Sequence, residues 1–160
     1  MEKNMTTEQE QAINRSRMWA LTVMGMAVGV WDLVEESANS LSPIIGEQIL
    51  VMAEKLFDLN FEGETPEKLM SDLGFIFVDK FGFCTAIEVE SSDKTIIVTG
   101  KNSVGIAELK AIKERGVAPF IHPFLCTGLA GLARLGLRAR AQLEISPNQQ
   151  DIIIKFTLVK

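Results

Sequence analysis

The 160-residue chain has a single histidine, His122, and two cysteines, Cys84 and Cys126. Two cysteines make neither a disulfide framework nor the four ligands of a structural zinc site, and any covalent mechanism that needs an imidazole has to use His122. No G-x-G-x-x-G or Walker-type segment is present, which argues against dinucleotide and nucleotide enzymes. Lys and Arg form no run and the formal charge is −5, so a general nucleic-acid binder is not expected. The opening residues, Met1 to Glu10, are polar and mixed in charge, unlike the basic start and apolar centre of a signal peptide; the expected location is the cytoplasm. With no repeat and no low-complexity linker, the chain reads as one domain, long enough to bury roughly two-thirds of its unfolded surface without metal or disulfide support.

What the chain does have is apolar surface. Hydrophobic residues make up 47% of it, which points to a subunit interface or an internal ligand cavity. Thr7 and Glu10 fit a capping box and open a first helix predicted to run to about Ser37. Within it, Met18 to Trp31 is charge-free, flanked by Arg15 and Arg17 before and by Asp32, Glu35 and Glu36 after. That run is shorter than the ~20 residues a membrane-crossing helix needs, so no membrane span is expected. Gly25 and Gly29, spaced G-x-x-x-G, fit two readings: a core helix crowded by its neighbours, or the seam of a homodimer. Residues 1–40 are therefore assigned to this helix as a dimer seam and 41–160 to a ligand-binding domain.

Two further helix starts are legible, Ser42-Pro43 and Thr65-Pro66-Glu67, each a hydroxyl followed by a proline. The first opens a stripe of Ile45, Ile49, Ala53 and Phe57, closed by Asn60 and Gly63. The second opens a buried face of Leu69, Leu73, Ile76, Phe77 and Phe81, stopped by Gly82. From Phe83 the period drops to two: Phe83, Thr85, Ile87 and Val89 alternate with Cys84, Ala86, Glu88 and Glu90, and Thr95–Thr99 returns as the partner strand. A short helix over 106–115 ends at Gly116. A second hairpin pairs Leu137–Ile145 with Ile152–Val159. The predicted order is ααα-ββ-αα-ββ, an α+β domain with helices on one face of a four-stranded antiparallel sheet.

Between the hairpins lies Val117 to Ala133, which carries no charged residue but holds both His122 and Cys126. Pro119 and Pro123 disfavour helix just before each of them, so a helix is predicted from Pro123, ended by Gly136, with His122 at its mouth. Leu125, Leu129, Leu132, Ala133 and Leu135 form its packed face, and Gly128 and Gly131 let it sit close on what it covers. His122 and Cys126 have two readings: a Cys–His couple or shared metal ligands, or a hydrogen-bonded histidine beside a cysteine that packs as a small apolar residue. The second is favoured, because Pro123 offsets His122 from regular helical geometry. No catalytic and no metal-binding residue is assigned. Arg134, Arg138 and Arg140 form the one local basic cluster, read as exposed strand surface in preference to a site for an anionic head group.

The run Leu41-Ser-Pro-Ile-Ile-Gly46, the Phe81-Gly-Phe-Cys84 step and Leu125-Cys-Thr-Gly-Leu-Ala-Gly-Leu132 resemble the vinyl-4-reductase domain, a family of hydrocarbon-binding proteins, over residues 41–160. The resemblance implies a fold similar to Golgi transport-particle subunits and the haem nitric-oxide-binding domain, with an apolar cavity and frequent dimers. It also implies a metal site, from a cysteine ahead of the glycine-rich helix and a pair in the last hairpin. This chain departs there: His122 stands near the first position and residues 144–156 hold no cysteine. The expected function is a non-catalytic, homodimeric module for an apolar small molecule, with Phe83, Phe120, His122, Phe124, Cys126 and Leu129 lining its site. No cofactor is named. The alternative is a structural or regulatory interaction subunit, with a partner protein filling the same apolar surface.

Overall fold

Period-two patterning, cleanest over residues 137–145, produces the sheet that the helices pack on. In the computed structural model, which describes residues 6–61 and 63–159, the strands are β1 (Ala86–Ser91), β2 (Thr95–Lys101), β3 (Arg138–Ile145) and β4 (Ile152–Val159). They form one antiparallel sheet in the order β1-β2-β4-β3, so β1 and β3 are its edges. The register stacks Ile96 beside Phe156 and sets Val98 and Leu143 on either side of Ile154. All five are buried, whereas Glu88, Arg140, Gln142, Glu144 and Lys155 of the opposite face are exposed. One dry face and one wet face is what period-two patterning specifies.

The helices are α1 (Thr7–Val34), α2 (Ser42–Phe57), α3 (Pro66–Phe75), α4 (Ile106–Glu114) and α5 (Pro123–Arg134); a 3₁₀ segment, Glu35–Leu41, joins α1 to α2, and a π turn, Ile76–Lys80, follows α3. Order and class are as the sequence predicts. The core lies between the sheet's inner face and α2, α3 and α5. Helix α5 sits close because its small residues allow it: a Cβ at Gly128 would fall 2.5 Å from the Phe156 ring, and one at Gly131 would fall 2.7 Å from Leu69. The closest approach is one the sequence did not mark. A Cβ at Gly46 would lie 1.9 Å from the carbonyl oxygen of Cys126, so α2 and α5 meet backbone to backbone. Arg134 at the end of α5 reinforces this contact by bonding Glu47 (2.9 Å) and Glu54 (2.6 Å), both on α2.

Several boundaries differ from the sequence reading, each for a local reason. The N-cap of α1 is Thr6, not Thr7; Gln9 supplies the returning side chain, and the amide serves as well as a carboxylate. The helix ends at Val34, not near Ser37, because Glu35 turns to a φ of 50°. Ser42 caps nothing: it lies inside α2, buried, and its hydroxyl donates to the Phe120 carbonyl (2.7 Å), tying α2 to the segment before α5. β1 begins at Ala86, not Phe83. Phe83 still belongs to the turn, its N–H bonded to Phe77 O and its carbonyl accepting from Val104 N; Cys84 is therefore buried and Phe83 exposed, the reverse of the extrapolated alternation. Thr65, by contrast, caps α3 as expected, and Gly82, Gly116 and Gly136 all adopt the positive φ expected of terminators. Phe57 and Phe81, placed on buried stripes, are 56% and 39% exposed and stack edge to face on each other.

The largest departure is α1. Its charge-free run is not a core helix: Ala27 alone among its described residues is buried, while Met18, Trp19, Leu21, Met26 and Leu33 stand exposed. One stripe, Met24, Ala27, Val28 and Trp31, packs on Ile112, Val117 and Phe120. Gly25 and Gly29 are not crowded, since a Cβ on either would meet nothing within 4 Å. The continuous helical stretch from Thr7 to Phe57 contains one segment long and apolar enough, by length and composition, to cross a membrane, although the charge-free run itself is shorter. The polar opening Met1–Met5 lies outside the described residues.

Candidate functional site: two spaces beside one helix

Residues 117–122 reach α5 as an irregular entry segment because Pro119 and Pro123 forbid helix there. His122 is the N-cap residue, extended at φ −60° and ψ 125°, and its carbonyl accepts the first helical bond from Cys126 N (2.9 Å). The sequence expectation for this boundary holds. On either side of the entry segment and α5 lies a space of different character.

Toward β1 and β2 is a chamber of about 30 Å³, walled by Phe77, Phe83, Cys84, Val98, His122 and Phe124. That is room for a water-sized group, since one water needs ~10–15 Å³ on this measure, and it does not admit a hydrocarbon chain. Among the described residues His122 Nδ1, buried there, has no hydrogen-bond partner. The residue keeps a little accessible surface, but its ring is packed round by apolar groups, and that burial pulls its pKa down to about 4. At neutral pH the ring is uncharged. Cys84, its neighbour in the chamber wall, is a free thiol pushed up from its usual pKa by the same desolvation.

Toward β3 the space is an open groove of about 1050 Å³ that runs over the edge of the sheet, its lining taking in Gln142 and Glu144 of the outer face as well as the inner residues of β3. Phe120, Leu125 and Leu129 form one wall, and Leu137, Ala139 and Leu143 the other. Its size has a simple origin: Ala139 and Ala141 put small side chains on the inner face of β3, where longer ones would reach α5. Lys113, Arg138 and Arg140 stand at its margin. Arg134 is committed to Glu47 and Glu54, so the basic cluster seen in the sequence is divided, and Arg138 and Arg140 lie exposed on the outer face of β3 as that reading expected.

The six residues picked from the sequence are thus distributed over both spaces. Phe83, His122 and Phe124 line the chamber; Phe120 and Leu129 line the groove. Cys126 lines neither: it is fully buried, its thiol donates to the Phe120 carbonyl (3.1 Å), and burial lifts its pKa to about 12. His122 is turned to the chamber and Cys126 to the entry segment, so the two are not brought together as a pair. Both cysteines are free. Among the described residues no three or more His, Cys, Asp and Glu side chains gather as metal ligands. Sequence reasoning did not assign to the site Cys84, whose signal was its place two residues after the helix-ending Gly82, or Ala139 and Ala141, whose signal was small size at inward strand positions.

No family model and no curated protein matches the chain. Solved structures do. A trafficking protein particle complex subunit 3 from Naegleria fowleri, covalently bound to palmitic acid, superposes with a TM-score of 0.56 at 11% identity, over 91% of this chain and 96% of that one. An H-NOX protein variant from K. algicida, in the unliganded Fe(II) form, matches with a TM-score of 0.45 at 12% identity, over 84% and 70% of the two chains. At 11% identity the likeness to the trafficking-particle subunit is one of fold. It agrees with the similarity to transport-particle subunits expected from the sequence, while the vinyl-4-reductase resemblance has no matching family model behind it.

Proposed function

We propose that the protein is a non-catalytic, cytoplasmic, homodimeric binding module for an apolar, hydrocarbon-like molecule, as the vinyl-4-reductase resemblance suggests. The observation that carries this reading is the groove between α5 and β3, large enough for a lipid-sized chain and walled by Phe120, Leu125, Leu129 and Leu143. The palmitic acid carried by the trafficking-particle subunit of similar fold adds support. A non-catalytic role is supported by the two thiols: burial pushes both pKa values up, so neither supplies a thiolate nucleophile at neutral pH.

The test is organic extraction and native mass spectrometry of the purified chain, followed by titration with 1-anilinonaphthalene-8-sulfonate and displacement by palmitate. Leu129→Glu puts a carboxylate in the groove wall and should weaken probe binding at least about tenfold, a difference of ~1.4 kcal/mol, while Phe83→Ala, in the chamber, should not. A wild-type protein that carries no apolar molecule and binds neither probe refutes the proposal. One observation favours the interaction-subunit reading as well: β3 is an edge strand and the groove runs along it, so an extended segment of a partner could lie there. A stable hetero-partner that competes with the probe would decide for that reading.

A further inference from the structure

We infer that the chamber beside β1 and β2 is a site for one soft monovalent metal ion of the copper(I) class, held two-coordinate by Cys84 Sγ and His122 Nδ1. Fold alone brings these donors to one chamber: Cys84 precedes β1, and His122 stands at the mouth of α5. The site is separate from the groove, and Cys84 is not among the positions where the vinyl-4-reductase resemblance places metal-binding cysteines. His122 Nδ1 is buried in the chamber and, among the described residues, unpartnered, which is a cost that a ligand would remove. The ring is uncharged at neutral pH, so it can bind a metal without first losing a proton. Cys84 is a free, buried thiol. Beside it the chain has no side chain at Gly100, where a Cβ would come 3.7 Å from Cys84 Sγ and 2.8 Å from Ser103 Oγ, so glycine keeps this part of the wall open. The volume of about 30 Å³ takes a single ion and excludes a chelate or a chain.

The chemistry of the walls selects the ion. On binding, the Cys84 thiol releases its proton to solvent, a sulfur–metal bond forms, the His122 lone pair makes the second bond, and no electron is transferred. Thiolate and monovalent cation cancel in charge, so the loaded chamber is neutral among Phe77, Phe83, Val98 and Phe124. A divalent ion would leave a net positive charge there. Zinc also asks for four ligands, and no cluster of three His, Cys, Asp or Glu side chains exists among the described residues. Calcium and magnesium need several oxygens, whereas Ser103, the one side-chain oxygen in the wall, already donates to the Gly100 carbonyl (2.9 Å). Thiolate with imidazole in a dry pocket is a soft donor set, which suits copper(I). The Phe77 ring lies 5.3 Å from that of Phe83 and 5.1 Å from that of Phe124, and aromatic faces favour a cation. Phe83 is 37% exposed in this wall, so displacement of one ring opens the chamber to solvent.

The full chain is titrated under nitrogen with copper(I) in acetonitrile-containing buffer against bicinchoninate, and with silver(I) as a redox-stable probe. The wild type should bind one equivalent. Cys84→Ser should weaken binding at least about a hundredfold and His122→Phe at least about tenfold, while Cys126→Ser should leave it unchanged. Circular dichroism confirms that each variant is folded. Two measurements on the wild type need no variant. The chain has one histidine, so isotope-labelled ring nitrogens report His122 alone, and its Nδ1 resonance should move on addition of silver(I). X-ray absorption at the copper edge should show one sulfur and one nitrogen neighbour. A wild type that binds neither ion overturns the proposal. Binding untouched by Cys84→Ser means an adventitious ion only and also overturns it. Binding that needs Cys84 but leaves the His122 resonance and the His122→Phe affinity unmoved assigns the ion to the thiol alone and overturns the pair. Binding of 1-anilinonaphthalene-8-sulfonate should be the same with and without silver(I), so this site and the groove stand or fall separately.

Discussion

Replacing Gly46 by alanine should damage the protein more than any other glycine-to-alanine change in its core. The added methyl has two opposing effects. Alanine is a better helix former than glycine by ~1 kcal/mol, which favours the variant. Against this, the new Cβ would stand 1.9 Å from the carbonyl oxygen of Cys126, 2.3 Å from its carbon and 2.9 Å from Thr127 N. Ordinary contact begins more than an ångström farther out. The obstructing atoms are backbone atoms of α5, so no side chain can rotate aside, and two helices held together by the Arg134 pairs would have to separate. Overpacking relieved by side-chain movement typically costs ~1–3 kcal/mol; with backbone opposing backbone, a net loss of about 3 kcal/mol is expected after the propensity gain. In a chain of this length that corresponds to a melting temperature lower by roughly 6–12 °C. Gly128→Ala should be intermediate, because the obstruction is the ring of Phe156, fully buried at the centre of the sheet. Gly131→Ala should be the mildest of the three, because the obstruction is the end of the Leu69 side chain, its methyls at 2.7 and 3.1 Å and its Cγ at 3.2 Å, and not a ring or backbone. Thermal and urea melts followed by circular dichroism give the ranking. A Gly46→Ala protein as stable as wild type, or more stable than Gly131→Ala, would refute the close approach of α2 and α5.

Three further outcomes are expected. Because burial holds His122 near a pKa of about 4 while the unfolded chain binds a proton near 6.5, stability should fall as pH drops from 6.5 to 4, by up to about 3 kcal/mol. His122→Phe should flatten that slope in urea titrations, leaving only the carboxylates, Glu54 and Asp151 among them, whose lowered pKa values act below about pH 4.5. Arg134→Gln should cost about 1–2 kcal/mol in the same assay, and Arg134→Lys should recover only part of it, because an ammonium cannot bridge Glu47 and Glu54 as the planar guanidinium does. Cys84 and Cys126 should be inert to 5,5′-dithiobis(2-nitrobenzoate) in the native state and react together on unfolding; fast labelling of Cys126 at pH 8 would contradict its burial.

The fold was legible wherever a local rule decided the outcome. Period-two alternation located both hairpins, Thr65-Pro66 located a helix start, and Pro123 placed the boundary of α5 to the residue. The failures occurred where local and non-local effects compete. Ser42-Pro43 looks like Thr65-Pro66, yet the serine is drawn into the core to bond Phe120, a partner 78 positions away. Phe83 was read as strand because alternation extends backward smoothly, but its backbone bonds go to Phe77 and Val104. The site was half legible. Five of the six chosen residues lie on α5 or its entry segment and Phe83 shares the chamber wall with them, but no sequence pattern says that a helix has a chamber on one side and a groove on the other.

Small residues explain why. At Gly46, Gly128 and Gly131 the missing side chain is used by a neighbour, whose backbone, ring or methyl group occupies the space. At Ala139 and Ala141 on β3 the short side chains leave space that the protomer does not fill, and the groove results. At Gly25 and Gly29 the space is open to solvent. Glycine and alanine written in a sequence are the same in all three settings, so apolar composition alone predicts a cover and a cavity without separating them. Packing separates them here: the first set fixes how α2, α3 and α5 close on the sheet, and the other two are left for something outside the protomer. A groove walled by Phe120 and Leu129 suits a flexible apolar chain, which can follow an irregular wall.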